Sequence, residues 1–214
     1  MAFEDPFGAD TSETRTAIMR ATYAALIEHG YENLTIQRIG DEFPKSKSLI
    51  YQHYDGKDEV LVELLEFLLD HFETQMPPPT TANAHDCLRT VLDFVLAAEP
   101  ENDRIELTKV MVELRGQAPH NETFQSYFAE SDRQFRQELA TIVDRGIEQG
   151  VYRSVDSEAV AEMLLTAMNG GTVRRATTDG DVDIAATRTE LDAYIRARLL
   201  REDEESDGGK GELS

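Results

Sequence analysis

Three features of this 214-residue sequence predict an all-α fold. Apolar residues recur at three- and four-residue spacing along most of its length, and no segment sustains the period-2 alternation of a half-buried strand. Glycines and prolines punctuate the pattern at helix-length intervals. The expected architecture is a three-helix head followed by a larger helical body, about nine helices in all, in a chain long enough to build its core without staples.

The first helix is predicted over 12–29, with Ser12 as N-cap, Glu13 in the first turn, Ile18, Ala21, Ala25 and Leu26 along one face, and His29-Gly30 as the stop. Thr35 caps a short second helix that opens with Ile36-Gln37-Arg38-Ile39. Phe43-Pro44 must end it, because the residue before a proline resists the helical basin. Ser46 caps an equally short third helix that runs to His53. After the Asp55-Gly56 turn, Val60, Leu61, Leu64, Leu65, Leu68 and Phe72 keep helical spacing from Lys57 to Gln75, until Pro77, Pro78 and Pro79 stop the run. Further helices are predicted at about 82–98, 104–117, 121–149, 156–177 and 183–201, with Gly150 closing the long one and Gly180 in the last turn. Residues 1–10 read as an N-terminal arm, 11–57 as the head, 58–201 as the body and 202–214 as an acidic, Gly-rich tail.

Composition removes several function classes. A single cysteine, Cys87, excludes an intramolecular disulfide and a C-x-x-C zinc site. The best apolar run, 60–72, is interrupted by Glu63, Glu66 and Asp70, so no membrane span is expected. The start, Met1-Ala2-Phe3-Glu4-Asp5, lacks a secretion-signal pattern, which makes the cytoplasm the expected compartment. His29, His53, His71, His85 and His120 show no H-E-x-x-H spacing, and Glu66, Asp70 and Glu73 read as a wet helix face rather than a metal site. Gly170-Gly171 is followed by Thr172-Val173-Arg174 within a helical stretch and is no phosphate loop. With no Ser/His/acid constellation either, no catalytic residue, metal or cofactor is expected, and the chain does not read as an enzyme.

Charge is the strongest compositional signal: 42 acidic against 21 basic residues, a net charge of -21, with only five of the cations lysine. Such a surface repels nucleic acid and anionic membranes on average, while 40% apolar residues exclude an acidic disordered chain. The composition resembles that of halophile proteins that work in molar salt; mimicry of an acidic partner is the alternative. The charge is unevenly placed. Between residues 11 and 57 six acids and six bases cancel, and Lys45, Lys47 and Lys57 all fall there. A neutral head can approach phosphate where the body cannot.

Two short helices around Phe43-Pro44-Lys45-Ser46, followed at once by a long one, have the spacing of a helix-turn-helix. The strings 35–40 (Thr-Ile-Gln-Arg-Ile-Gly), 46–54 (Ser-Lys-Ser-Leu-Ile-Tyr-Gln-His-Tyr) and 56–61 (Gly-Lys-Asp-Glu-Val-Leu) resemble the N-terminal signature of the TetR family of transcriptional regulators, over residues 12–65. The stretch from Gly146 through Gly150 to Tyr152 resembles that family's link between helices 7 and 8, while Phe43-Pro44-Lys45 departs from its Ala-Gly-Val type of turn.

The resemblance implies a homodimeric regulator, most often a repressor, that binds a palindromic double-stranded DNA operator and is released by a small-molecule effector. A ligand-binding or protein-interaction module of the same fold, without specific DNA binding, is the rival. Thr35 and Lys57 are then expected on phosphate, Tyr51 and His53 on the DNA backbone, and Tyr54 inside the head, although a simple cap explains Thr35 and surface exposure explains His53. Lys47, Ser48 and Gln52, helped by Gln37, suit base edges, since Lys donates to guanine and Gln pairs with adenine. Lys45, beside Ser46 in the turn, reads as a solvated or phosphate-facing charge. An effector pocket among helices 4 to 7 is expected to draw on Phe67, His71, Met111, Leu114, Phe124 and Phe128, each of which ordinary core packing also explains. Helices 8 and 9, about 156–201, are expected to pair between subunits through a face containing Val160, Leu164, Ala167, Gly171, Leu191, Ile195 and Leu199; packing within one chain explains the same pattern. The acidic field of the body favours an uncharged or cationic effector.

Overall fold

The computed structural model describes residues 6–7, 14–76, 83–98, 102–178 and 182–201. The predicted Ser12 cap, the stop at Pro77, Pro78 and Pro79, the Gly180 turn, most of the arm and the tail lie outside these residues. Among them run nine helices: α1 (Thr14–Asn33), α2 (Ile36–Glu42), α3 (Ser48–His53), α4 (Lys57–Gln75), α5 (Ala84–Val95), α6 (Asn102–Gln117), α7 (Glu122–Glu148), α8 (Ser157–Thr177) and α9 (Ile184–Arg198). A 3₁₀ turn at Ala118–His120 joins α6 to α7, and the one extended pairing among the described residues is an isolated bridge between Tyr152 and Leu200.

Local chemistry explains where the helices start. Asn83, Asn121, Asp156 and Asp183 each accept a backbone N–H of their own helix's first turn, at α5, α7, α8 and α9, which satisfies donors that would otherwise lack partners. Thr35 does the same for α2, taking the Arg38 amide at 3.2 Å. At α3 the regular helix begins at Ser48, but the chain already turns at Ser46, whose hydroxyl accepts the Ser48 amide at 3.4 Å and whose carbonyl accepts that of Leu49 at 3.0 Å. The stop predicted at Gly30 is a break inside α1: Gly30 takes φ 69°, ψ 164°, a conformation open essentially to glycine alone, and one further turn follows to Asn33.

Apolar side chains gather in two cores. The first joins α1 to α3 with α4, with Leu107, Val110 and Leu114 of α6, and with Phe124 and Phe128 of α7, so packing runs without a break across residue 57, where the head was divided from the body. The second joins α5, the later half of α7, α8 and α9, and the 27-residue α7 spans both. The arm adds an anchor that the spacing did not announce. Phe7 is buried, stacked on Phe67 with centroids 5.3 Å apart, beside Tyr23 and under the Arg20 guanidinium.

The expected partner face of α8 and α9 needs correction. Val160, Leu164, Leu191, Ile195 and Leu199 are buried within this one chain, in the second core, Gly171 is buried beside it, and of the seven only Ala167 remains half-exposed. Burying those side chains once is enough to explain their spacing, so any partner must meet the other face.

The link after α7 shows why two glycines stand there. Gly150 takes φ 72°, and the chain doubles back so closely that a Cβ on Gly146 would lie 2.1 Å from the fully buried Tyr152 ring. Gly146→Ala is therefore expected to destabilise the fold by about 2–3 kcal/mol through overpacking, whereas Gly170→Ala, with nothing within 4 Å of its Cβ, should raise helix stability by up to about 1 kcal/mol. Denaturant unfolding of the two variants beside the parent checks both signs.

Candidate functional site

The head presents α3 outward. Thr35, Gln37, Lys45, Ser46, Ser48, Tyr51, Gln52 and His53 are all exposed, and Tyr51, at 60% exposure, is one of few large apolar side chains among the described residues left to solvent. Tyr54 points the other way and is buried. Burial and a hydrogen bond to Glu63 push its pKa well up, and the same Glu63 carboxylate pairs with the Arg15 guanidinium. One α4 carboxylate thus gathers α1 and the end of α3, which fixes how α3 sits on the helices behind it.

Two lysines expected on DNA have partners within the chain. Lys47 is half-buried: its stem lies over α2, where a Cβ on Gly40 would meet Lys47 Cγ at 2.7 Å, and its ammonium pairs with Asp41. Asp41 is 60% exposed, so the pair is weak and exchangeable. Lys57 donates to the Tyr31 carbonyl at 3.2 Å and stands 4.7 Å over the Tyr31 ring. Of the other cations, Lys45 donates to Thr14 Oγ1 at 3.3 Å from an exposed turn.

Tyr31 is also where the body grips the head. Its amide, just after the break at Gly30, donates to Glu113 Oε1 of α6 at 2.6 Å. A side chain at Gly30 would place its Cβ 3.3 Å from that same oxygen, so the glycine leaves room for the carboxylate as well as for the backbone.

Behind this junction lies a partly open cavity of about 150 Å³ whose wall is built from α4, the C-terminal end of α5, α6, α7 and α8. His71, Met111 and Phe128 of the expected set line it. Phe67, Leu114 and Phe124 do not: Phe67 is covered by Phe7, and the other two are buried in the first core. The wall also carries Phe72, Phe94 and Phe135, and it carries Arg104, Arg115, Asp132 and Arg175, none of which the sequence reading singled out. Their positions span five helices, so no local spacing connects them; Arg115 and Asp132 are joined by two hydrogen bonds of 2.9 and 2.8 Å. Arg104 lies 4.3 Å over the Phe94 ring and Arg115 4.4 Å over that of Phe128. Among the described residues no cluster of His, Cys, Asp and Glu is suited to hold a metal ion, and no helix is long and apolar enough to cross a membrane.

Comparison with known proteins adds family relations. Residues 18–64 match the profile of bacterial regulatory proteins of the tetR family, and residues 84–200 match that of the C-terminal part of BetI-type transcriptional repressors. A TetR transcription regulator from Haloarcula marismortui is 35% identical and superimposes with a TM-score of 0.81, over 88% of this chain and all of that one. A transcriptional regulator from Saccharomonospora viridis, solved in complex with choline, is 22% identical with a TM-score of 0.78, over 90% of this chain and all of that one. The transcriptional repressor AcnR of Corynebacterium glutamicum is 21% identical over 89% of this chain and 97% of its own.

The adjacent tyrosines of the head separate surface from core. Tyr51→Ala is expected to change unfolding free energy by no more than about 0.5 kcal/mol, and Tyr54→Ala to cost about 3 kcal/mol or more. Equal losses in denaturant titrations would show that Tyr51 is held by packing.

Proposed function

Because the chain belongs to the TetR family of transcriptional regulators, we propose that it is a cytoplasmic, dimeric repressor, without catalytic activity, that holds a palindromic operator and releases it when a small molecule fills the cavity. The observation that carries this reading is mechanical continuity. Helix α4 begins under the head at Lys57 and ends in the cavity wall at His71, Phe72 and Gln75, and α6, which supplies Met111 to the same wall, holds the head at Tyr31 through Glu113. A ligand that shifts α4 or α6 therefore acts on the orientation of α3 by way of two direct bonds. Release follows when the ligand binds the displaced arrangement more tightly than the DNA-competent one.

On DNA, Thr35 presents its hydroxyl and the first amides of α2 to phosphate, and exposed Tyr51 and His53 reach the sugar-phosphate backbone. Base reading falls to Gln52 and Ser48 on α3, with Gln37 beside them. Lys47 joins only by leaving Asp41 for the duplex, and Lys57 acts chiefly by holding Tyr31. Dimer pairing uses the solvent side of α8, around Met163, Ala167, Gly170 and Val173, and the small exposed residues Ala186, Ala193 and Ala197 of α9. One head grips DNA weakly, and two subunits place their recognition helices about 34–36 Å apart.

Binding to duplexes from the chain's own upstream region tests the reading. Gln52→Ala should relax discrimination at particular operator positions by about 1–3 kcal/mol, while Lys47→Ala should weaken all sequences alike and lower the salt slope by about 1. Specific binding that is absent throughout would leave an interaction module of the same fold, the reading that the internal engagement of Lys47 and Lys57 favours.

The charge of -21 is proposed as an adaptation to concentrated salt. Repulsion among the carboxylates is screened once the Debye length shortens from about 10 Å at 0.1 M to about 3 Å at 1 M. The melting temperature should rise as KCl is raised over that range; a flat or falling curve would favour mimicry of an acidic partner.

A further inference from the structure

The cavity inverts the electrostatics of the protein around it. Acids outnumber bases two to one over the whole chain, yet the described wall of the cavity carries Arg104, Arg115 and Arg175 against the single carboxylate of Asp132. Asp132 is paired with Arg115 through both of its oxygens. Arg104 and Arg175 converge from α6 and α8 on the end of α5, where they donate to the carbonyls of Phe94 and Ala97. Arg175 makes that one hydrogen bond, at 2.6 Å, and has no carboxylate beside it among the described residues. A guanidinium has five donors in a planar fork, so most of this fork is left for something else. Burial pulls the Arg175 pKa down, as it does for a cation with no counter-charge beside it among the described residues.

The aromatic lining leads to the same conclusion. Four phenylalanines border the cavity, which by residue type alone suits a quaternary ammonium held against ring faces. Two of those faces are already taken by this chain's own cations, Arg104 on Phe94 and Arg115 on Phe128. A further cation would have only the Phe72 and Phe135 rings left to it, on a wall that already holds three like charges.

Resting on the reading of this cavity as the effector site, we propose that the effector is a carboxylate on a small apolar body, its anionic end on the Arg175 fork near Arg104 and its body among Phe72, Met111 and Phe135. A void near 150 Å³ is the size that takes a benzene-like group, and planar bidentate pairing suits carboxylate to guanidinium. The overall acidic field, which favours an uncharged or cationic effector, is long-range and screened by salt; the arginines act at contact distance and are screened far less.

Calorimetric titration of the full-length protein with matched probes tests this: phenylacetate against phenylacetamide, hexanoate against hexanamide, and benzyltrimethylammonium. The carboxylates should bind about tenfold or more tighter than their amides, and the ammonium most weakly. Arg175→Met should abolish the acid-over-amide preference, and Arg175→Lys should restore part of it. Carboxylates that bind no better than their amides, or not at all, overturn the inference, as does an ammonium that binds tightest; the parent-protein comparison decides even if a variant misfolds. Operator binding by the ligand-free protein is measured alongside. Its absence defeats the repressor reading and leaves the carboxylate preference to calorimetry, whereas operator release by the ammonium but not by the acids defeats only the inference.

Discussion

The peptide unit of Tyr31 is the point on which the arrangement of head and body depends. Gly30 breaks α1 in a conformation that a side chain would not tolerate, and the break turns the next amide toward α6, where Glu113 accepts it at 2.6 Å. The carbonyl of the same residue receives Lys57 at the start of α4, and its ring lies under that ammonium. Hydrogen bonds to charged groups contribute about 1.5–3 kcal/mol each, and both of these converge on one residue. Three helices from different parts of the chain are thereby indexed to each other within a few ångströms, and the same α4 and α6 go on to form the cavity wall.

That convergence explains why the first core is not confined to the head. Leu107, Val110 and Leu114 of α6 and Phe124 and Phe128 of α7 pack in the same cluster as Ile18, Leu26, Ile39 and Ile50, so the head cannot reorient without disturbing side chains that border the cavity. Phe128 belongs to both, buried in that cluster and exposed on one side to the cavity beneath the Arg115 guanidinium. A close-packed interior transmits such displacements instead of absorbing them. The second core, with Tyr152 wedged against Gly146, packs α5, α8 and α9 together with the later half of α7.

Electrostatically the chain divides into three regions that follow its packing. The body is strongly acidic, the stretch that turns α2 and α3 toward solvent is neutral, and the cavity is locally basic. Screening treats them differently, since exposed carboxylates lose most of their mutual repulsion in salt while partly buried guanidiniums keep their pull on a contacting anion.

What the sequence alone determined is what depends on near neighbours in the chain. The helical periods, the Thr35 cap and a change of course at Gly30 and at Gly150 follow from residues within a turn or two of each other, while the Gly146 link and the buried side of Tyr54 were legible through the family resemblance. What only the tertiary structure decided concerns groups that meet across tens of residues. Lys47 and Lys57 carry charges whose partners within the chain, Asp41 and the Tyr31 carbonyl, no local spacing announces. Phe67 reads as cavity lining until Phe7 is found stacked on it. An amphipathic pattern states that a face is covered but not by what, which is why Leu191 and Ile195 turned out to be packed within their own chain. The three arginines of the cavity lie at positions 104, 115 and 175, and their shared place in its wall has no linear spacing to betray it, because a cavity is made where helices far apart in sequence fail to close on one another.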